Sequence, residues 1–182
     1  MSYSISAKVG NLLEIESADF IVNASNTKFI LGSGVSMAFK RHCGLELQEE
    51  MNEEVILQDR VFHQGDLLLT SSGEAENFRY AIHVAVMDYN QGIQGKKQLP
   101  TVEIIKKSLH NIEKYLLIYA KEESKAVTLV LPLMGCGVGG LVKESVIELY
   151  KDFFSREIDF DCSVIIYGYT EEDYLQIIRI IN

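Results

Sequence analysis

At 182 residues, 47% apolar and 24% charged, the chain has the size and balance of one globular domain over residues 1–182, able to bury roughly 70% of the surface its unfolded form exposes. A formal net charge of −9 sets most of its surface against a polyanion and argues against duplex DNA or RNA as a partner. No apolar run approaches the ~20 residues of a membrane span, and residues 1–6 lack the basic and apolar regions of a signal peptide, so a cytoplasmic protein without membrane contact is expected.

The first strand is expected at residues 4–8 and the second at residues 18–23, around the β-branched run Phe20-Ile21-Val22. That run leads into Asn23-Ala24-Ser25-Asn26 and then Gly32-Ser33-Gly34-Val35. Residues 35–58 read as helical, broken at His42-Cys43-Gly44, with Leu45, Met51 and Val55 as buried positions. Strands follow at residues 66–70 and 79–86, with loops at 71–74 and 88–98. Pro100 and Thr101 mark the start of a helix over residues 101–121, whose buried face carries Ile105, Leu109, Ile112, Leu116 and Tyr119. A fifth strand at residues 126–131 runs into Pro132-Leu133-Met134 and the glycines of residues 135–140. Val142, Val146, Leu149 and Phe153 form another stripe, a strand covers residues 162–168, and Tyr174, Ile177, Ile178 and Ile181 line a last helix. Alternation of this kind implies an α/β architecture, with helices on both faces of a largely parallel or mixed sheet.

The chemistry lies in the two glycine loops. Each follows a strand and precedes a helix, so each presents main-chain N–H groups, free of a Cβ, beside unpaired donors of a first helical turn. Such loops hold anions, phosphate above all, and two of them after strands of one sheet would open on the same edge. Gly135, Gly137 and Gly140 fit the spacing of a dinucleotide fingerprint, but the strand that follows ends Ile165-Ile166-Tyr167-Gly168 without the acid that would hold a ribose. Neither loop continues into the Lys-Ser or Lys-Thr of a P-loop. Cys136 lacks an identifiable base among His42, His63, His83 and His110, and is read as a small loop residue. His83, inside an apolar strand, is read as a core histidine. Cys43, Cys136 and Cys162 have neither the number nor the spacing of a disulfide framework or a zinc site, so no metal and no cofactor are expected.

Taken together in their order, the residue 22–35 segment, Tyr80-Ala81-Ile82-His83 and the residue 131–140 loop resemble the macrodomain family, over about residues 10–167. The resemblance implies a three-layer α/β/α sandwich with a mixed central sheet of about six strands. It implies that the cleft takes ADP-ribose, free, on an ADP-ribosylated protein, or at the end of poly(ADP-ribose). Carried over residue by residue, Asn23, Ala24 and Asn26 lie near the distal ribose. Gly32, Ser33, Gly34 and Val35 form the first diphosphate loop, with Gly135, Cys136, Gly137, Val138 and Gly139 as the second. Tyr167 packs on adenine, and Asn26 is the residue on which catalysis would turn. Two positions depart from the family pattern. Asn11 stands where an Asp usually accepts from the adenine amino group, and its amide accepts without charge assistance. Ser36 stands where some hydrolytic members carry an Asp, and a hydroxyl cannot serve as general base near neutral pH. Two functions stay open on the sequence: slow hydrolysis of an ester at the distal ribose, as in O-acetyl-ADP-ribose or ADP-ribosylated acidic side chains, and recognition without turnover.

Overall fold

The expected strands pair side by side and the helices close over both faces of them. The computed structural model describes residues 2–32, 34–89 and 98–182. Its elements are β1 (Tyr3–Val9), β2 (Ala18–Asn26), α1 (Val35–His42), α2 (Glu46–Gln58), β3 (Leu67–Ser71), β4 (Phe78–Met87), α3 (Val102–Glu123), β5 (Val127–Pro132), α4 (Lys143–Phe154), β6 (Cys162–Gly168) and α5 (Glu171–Ile181). A 3₁₀ turn, Leu12–Glu14, follows β1. The sheet order is β1-β6-β5-β2-β4-β3, parallel throughout except where β3 runs against β4. This is the expected three-layer α/β/α sandwich on a mixed sheet.

Alternation along the strands decides which residues meet which helices. Phe20, Val22, Leu129, Leu131, Val164 and Ile166 face α3, α4 and α5, while Ile21, Ala81, Ala85 and Val130 face α1 and α2. All five residues of the expected α3 stripe are buried, each contributing ~1.5–3 kcal/mol, far more than local helix propensity. Thr101 caps that helix, its side chain accepting from the Ile104 amide at 3.3 Å. Met51 is buried and Val55 partly buried, as expected. Leu45 and Val142 are not: they are 67% and 66% exposed because each sits just ahead of a helix, where the chain has not yet turned its apolar face inward. Ile147 and Tyr150 complete the buried face of α4 in place of Val142.

A buried carboxylate ties three elements together at the edge of the sheet away from the glycine loops. Asp19, at the start of β2, accepts from Tyr119 Oη at 2.9 Å, Lys125 Nζ at 2.6 Å and the Thr128 amide at 2.9 Å. Burial acts to raise its pKa, but these donors outweigh it and hold the carboxyl below its ordinary value. The opposite edge is set by the strand order. Because β2 and β5 are parallel neighbours, the segments that follow them leave the sheet at the same end.

Candidate functional site

The first loop begins with a break in pairing. β2 keeps register with β4 up to Ser25, then shifts, so that Asn26 lies opposite Met87. Such a bulge re-aims a side chain, and Asn26 lines the cleft. Its amide also closes the loop upon itself: Oδ1 accepts from the Lys28 amide at 3.1 Å, and Nδ2 donates to the Ile30 carbonyl at 3.0 Å. Phe29 adopts φ +51 inside this turn, held there by burial of its ring edge-on to Phe62. The chain then enters α1 through Gly34, at φ +57, with no side chain capping the helix. The amides of Gly34, Val35 and Ser36 donate to no acceptor among the described residues.

The second loop is pinned from below. Tyr150 Oη donates to the Pro132 carbonyl at 2.9 Å and accepts from the Met134 amide at 3.1 Å. Gly135 and Gly139 are required by packing: a Cβ on Gly135 would lie 2.7 Å from Leu141 Cδ1, and one on Gly139 would lie 2.5 Å from the Gly135 carbonyl oxygen. Gly137 is different. Its φ is ordinary and a Cβ there would meet nothing within 4 Å, so neither backbone nor neighbours require a glycine. The amides of Gly137, Val138 and Gly139 also lack acceptors among the described residues. α4, like α1, has no side-chain cap, whereas α5 carries a full capping box from Thr170 and Asp173.

Between these loops lies a cleft of about 1270 Å³. Of the residues expected from the sequence, Asn11, Ala24, Asn26, Gly32, Gly34, Val35, Gly135, Cys136, Gly137, Val138, Gly139 and Tyr167 all line it. Ser33 lies outside the described residues. Asn23 is the correction. It is fully buried beneath the cleft, because side chains alternate along β2 and its amide is drawn into the layer between sheet and α1. There Asn23 Oδ1 accepts from Ser36 Oγ at 2.9 Å, and Nδ2 meets His83 Nδ1 at 2.9 Å. His83 Nε2 in turn lies 2.9 Å from Thr70 Oγ1. His83 is thus the core histidine the sequence indicated, and burial pushes its pKa down to about 3.

At the end of the cleft beside β1 and β6, Asn11 uses Oδ1 to cap the 3₁₀ turn through the Leu13 amide at 3.1 Å, and its Nδ2 faces Glu14 Oε1 at 3.4 Å. Asn11 therefore has a donor, and Glu14 an acceptor, at this end. Tyr167 is 7% exposed and serves both the core and the cleft wall. Under the second loop, Lys143 at the start of α4 pairs with Asp173 at the start of α5. Burial favours the neutral Asp173, but Lys143 and the Thr170 hydrogen bonds override it and hold the carboxyl below its usual range. Cys136 lies nearby. Burial, partly offset by Lys143, pushes its thiol up to about 11, so it is a neutral thiol at physiological pH. Sequence reasoning missed Glu14, Lys143 and Asp173, which belong to ordinary helix starts and gain a place in the cleft only through the sheet order. It also missed Ser25, which lines the cleft, is 3% exposed, and has an Oγ without a hydrogen-bond partner among the described residues.

Comparison with known proteins identifies the family and the fold. The family model described as Macro domain matches residues 22–150. An uncharacterized protein of Sulfolobus acidocaldarius is 29% identical over 166 residues, covering 87% of this chain and 81% of that protein. Among solved structures, a variant Oceanobacillus iheyensis macrodomain with ADPR superimposes with a TM-score of 0.77 at 20% identity, covering 97% of this chain and 90% of that one. A Trypanosoma brucei macrodomain in complex with ADP-ribose gives 0.72 at 18% identity, over 98% and 69% of the two chains.

Proposed function

We propose that this protein, which belongs to the Macro domain family, binds ADP-ribose in the cleft between its two glycine loops. The observation that carries the reading is Gly137: an open-space glycine of ordinary conformation, flanked by amides without an acceptor among the described residues, keeps room for a ligand that approaches the main chain. Opposite it stand the amides of residues 34–36, which donate to no acceptor among the described residues, so a diphosphate between the loops would meet donors from two sides. Asn11, Glu14 and Tyr167 offer a donor, an acceptor and a ring to the base, and Asn26 offers its remaining hydrogen-bonding capacity to the distal ribose. The solved macrodomains named above carry ADPR or ADP-ribose, which supports the same ligand here. A terminal unit of poly(ADP-ribose), or ADP-ribose on a protein side chain, presents the same groups.

Calorimetric titration tests the reading. ADP-ribose is expected to bind one site well below ~1 mM, the concentration that corresponds to about −4 kcal/mol. Gly137→Glu is expected to abolish that binding without lowering thermal stability, since its side chain enters open space and sets a carboxylate against the phosphates. Gly34→Glu is a poorer probe because Gly34 sits at φ +57, where any side chain adds strain. Wild-type binding weaker than ~1 mM, or an unchanged titration for Gly137→Glu, would overturn the assignment.

A second reading, slow hydrolysis of an ester at the distal ribose, is supported by Asn26, which the bulge after Ser25 brings to line the cleft. With Ser36 in place of a carboxylate, the rate would come from positioning rather than from a general base. Firm binding of O-acetyl-ADP-ribose with no turnover above the buffer rate would leave recognition as the function.

A further inference from the structure

We propose that the buried chain of Thr70, His83, Asn23 and Ser36 runs in one direction and makes Ser36 Oγ an acceptor-only group facing the cleft, where it selects a ligand hydroxyl or orients a water. Ser36 Oγ lies 2.9 Å from Asn23 Oδ1 and 3.3 Å from the Ala24 carbonyl oxygen, so both acceptors within its reach belong to the protein. Its proton is held inward. Asn23, having turned its oxygen to Ser36, presents Nδ2–H to His83 Nδ1, which must then carry a lone pair. The imidazole proton therefore sits on Nε2 and is donated to Thr70 Oγ1, whose own proton goes to the Ser71 carbonyl oxygen at 2.9 Å. Each link dictates the next. Burial keeps His83 neutral, and an imidazolium would press a second donor against Asn23 Nδ2.

Ser36 lines the cleft although it is only 4% exposed, and in the proposed arrangement its hydroxyl oxygen has lone pairs and no proton to give there. A phosphate oxygen set against it would find repulsion, while a ligand O–H or a water would find an acceptor. The same oxygen is far too weak a base to take the proton, so it orients and does not deprotonate. This assignment rests on the ADP-ribose reading, in which the hydroxyl-bearing group beyond the diphosphate is the distal ribose. Ser36 is then the contact, and Asn23, His83 and Thr70 are positioning residues that set its polarity without touching the ligand.

The test has a ligand-free arm and a binding arm. Nitrogen-15 spectra of the imidazoles at pH 6–8, with His83 assigned by its absence in His83→Gln, are expected to show the Nε2–H tautomer. An Nδ1–H tautomer or an imidazolium would overturn the proposal. In the binding arm, ADP-ribose and ADP are titrated against wild type, Thr70→Val and Thr70→Ser; Thr70 does not line the cleft, and valine matches its shape. Thr70→Val is expected to weaken ADP-ribose by about 3–10-fold and ADP, which ends at the diphosphate, by less than about twofold, with Thr70→Ser close to wild type. Equal loss for both ligands, or loss for neither, would overturn it. Should Thr70→Val fail to fold, Ser36→Ala is expected to give the same split between the two ligands, and the absence of that split counts against the proposal. Failure of wild type to bind either ligand would remove the ADP-ribose reading, and with it the ribose contact, while the His83 spectrum still decides the direction of the chain.

Discussion

Asn23 and Asn26 are three residues apart on one strand and do different work, because the bulge after Ser25 re-aims Asn26 into the cleft while Asn23 stays in the buried layer. Asn26 is also less simple than a ribose ligand. Its bonds to Lys28 and Ile30 shape the turn, so Asn26→Ala would disturb the loop as well as the contact. The buried imidazole makes a prediction about stability. His83 has a folded pKa of about 3, against an unfolded value of about 6.5, so the unfolded chain binds more protons between these limits. Its contribution is complete above pH ~6.5 and is lost as pH falls toward ~3, on the order of 3 kcal/mol by pH 4. Denaturant unfolding at pH 7 and pH 4 should show this loss in wild type and a much smaller one in His83→Gln. Parallel pH profiles for the two proteins would contradict the assignment of a buried neutral imidazole.

At the scale of elements, the two loops solve one problem in different ways. The first is held by Asn26 and by the burial of Phe29, the second by Tyr150 from below and by the close packing of Gly135 and Gly139. In both, the following helix keeps its first-turn amides free of side-chain caps. At the far end of the sheet the start of β2, the end of α3 and the start of β5 converge on Asp19. Replacing Asp19 with Asn keeps its volume but turns a charged acceptor into an amide facing Lys125 and the Thr128 amide. Thermal or urea unfolding should show a loss of about 1.5–3 kcal/mol at neutral pH, with ADP-ribose affinity unchanged because the knot lies away from the cleft. The wild-type advantage should shrink as pH falls through the depressed pKa of Asp19, since protonation removes the charge that its donors hold.

At the scale of the whole molecule, a net charge of −9 coexists with a cleft proposed to take a diphosphate. Fixed amide dipoles act over a few ångströms, whereas the net charge acts over the Debye length of ~8–10 Å, so a small diphosphate can be favoured while a polyanion is repelled. Lys28, Arg41 and Lys143 line the same cleft and add local positive charge, although Lys143 is paired with Asp173. Polarisation assays at ~0.15 M salt should find no appreciable binding to duplex DNA or RNA. Poly(ADP-ribose) should bind through a terminal unit and be competed away by free ADP-ribose. Tight duplex binding that falls steeply with salt would contradict this picture of the surface.

Local signals were enough for much of this protein. Apolar alternation or β-branched runs marked the strands, 3.6-residue stripes marked α3 and α5, and glycines after two strands marked the loops, because each is written in neighbouring residues. The spacing of Asn23 and Asn26 was legible too, but their separate roles were not. A register shift against β4 decided them, and register depends on a partner strand some sixty positions away in the chain, as the pairing of Asn23 with His83 shows. The exposure of Leu45 and Val142 turned on where a helix begins to turn, within a residue or two of a boundary that periodicity does not locate. Glu14, Lys143 and Asp173 carried no signal at all, since each is an ordinary charged residue near a helix start. The sequence by itself determined the strands, the helices and the position of the two glycine loops after β2 and β5. Only the tertiary structure decided which side chains face the cleft, because the parallel order β6-β5-β2 is what brings the residues after β1, β2, β5 and β6 to one end of the sheet.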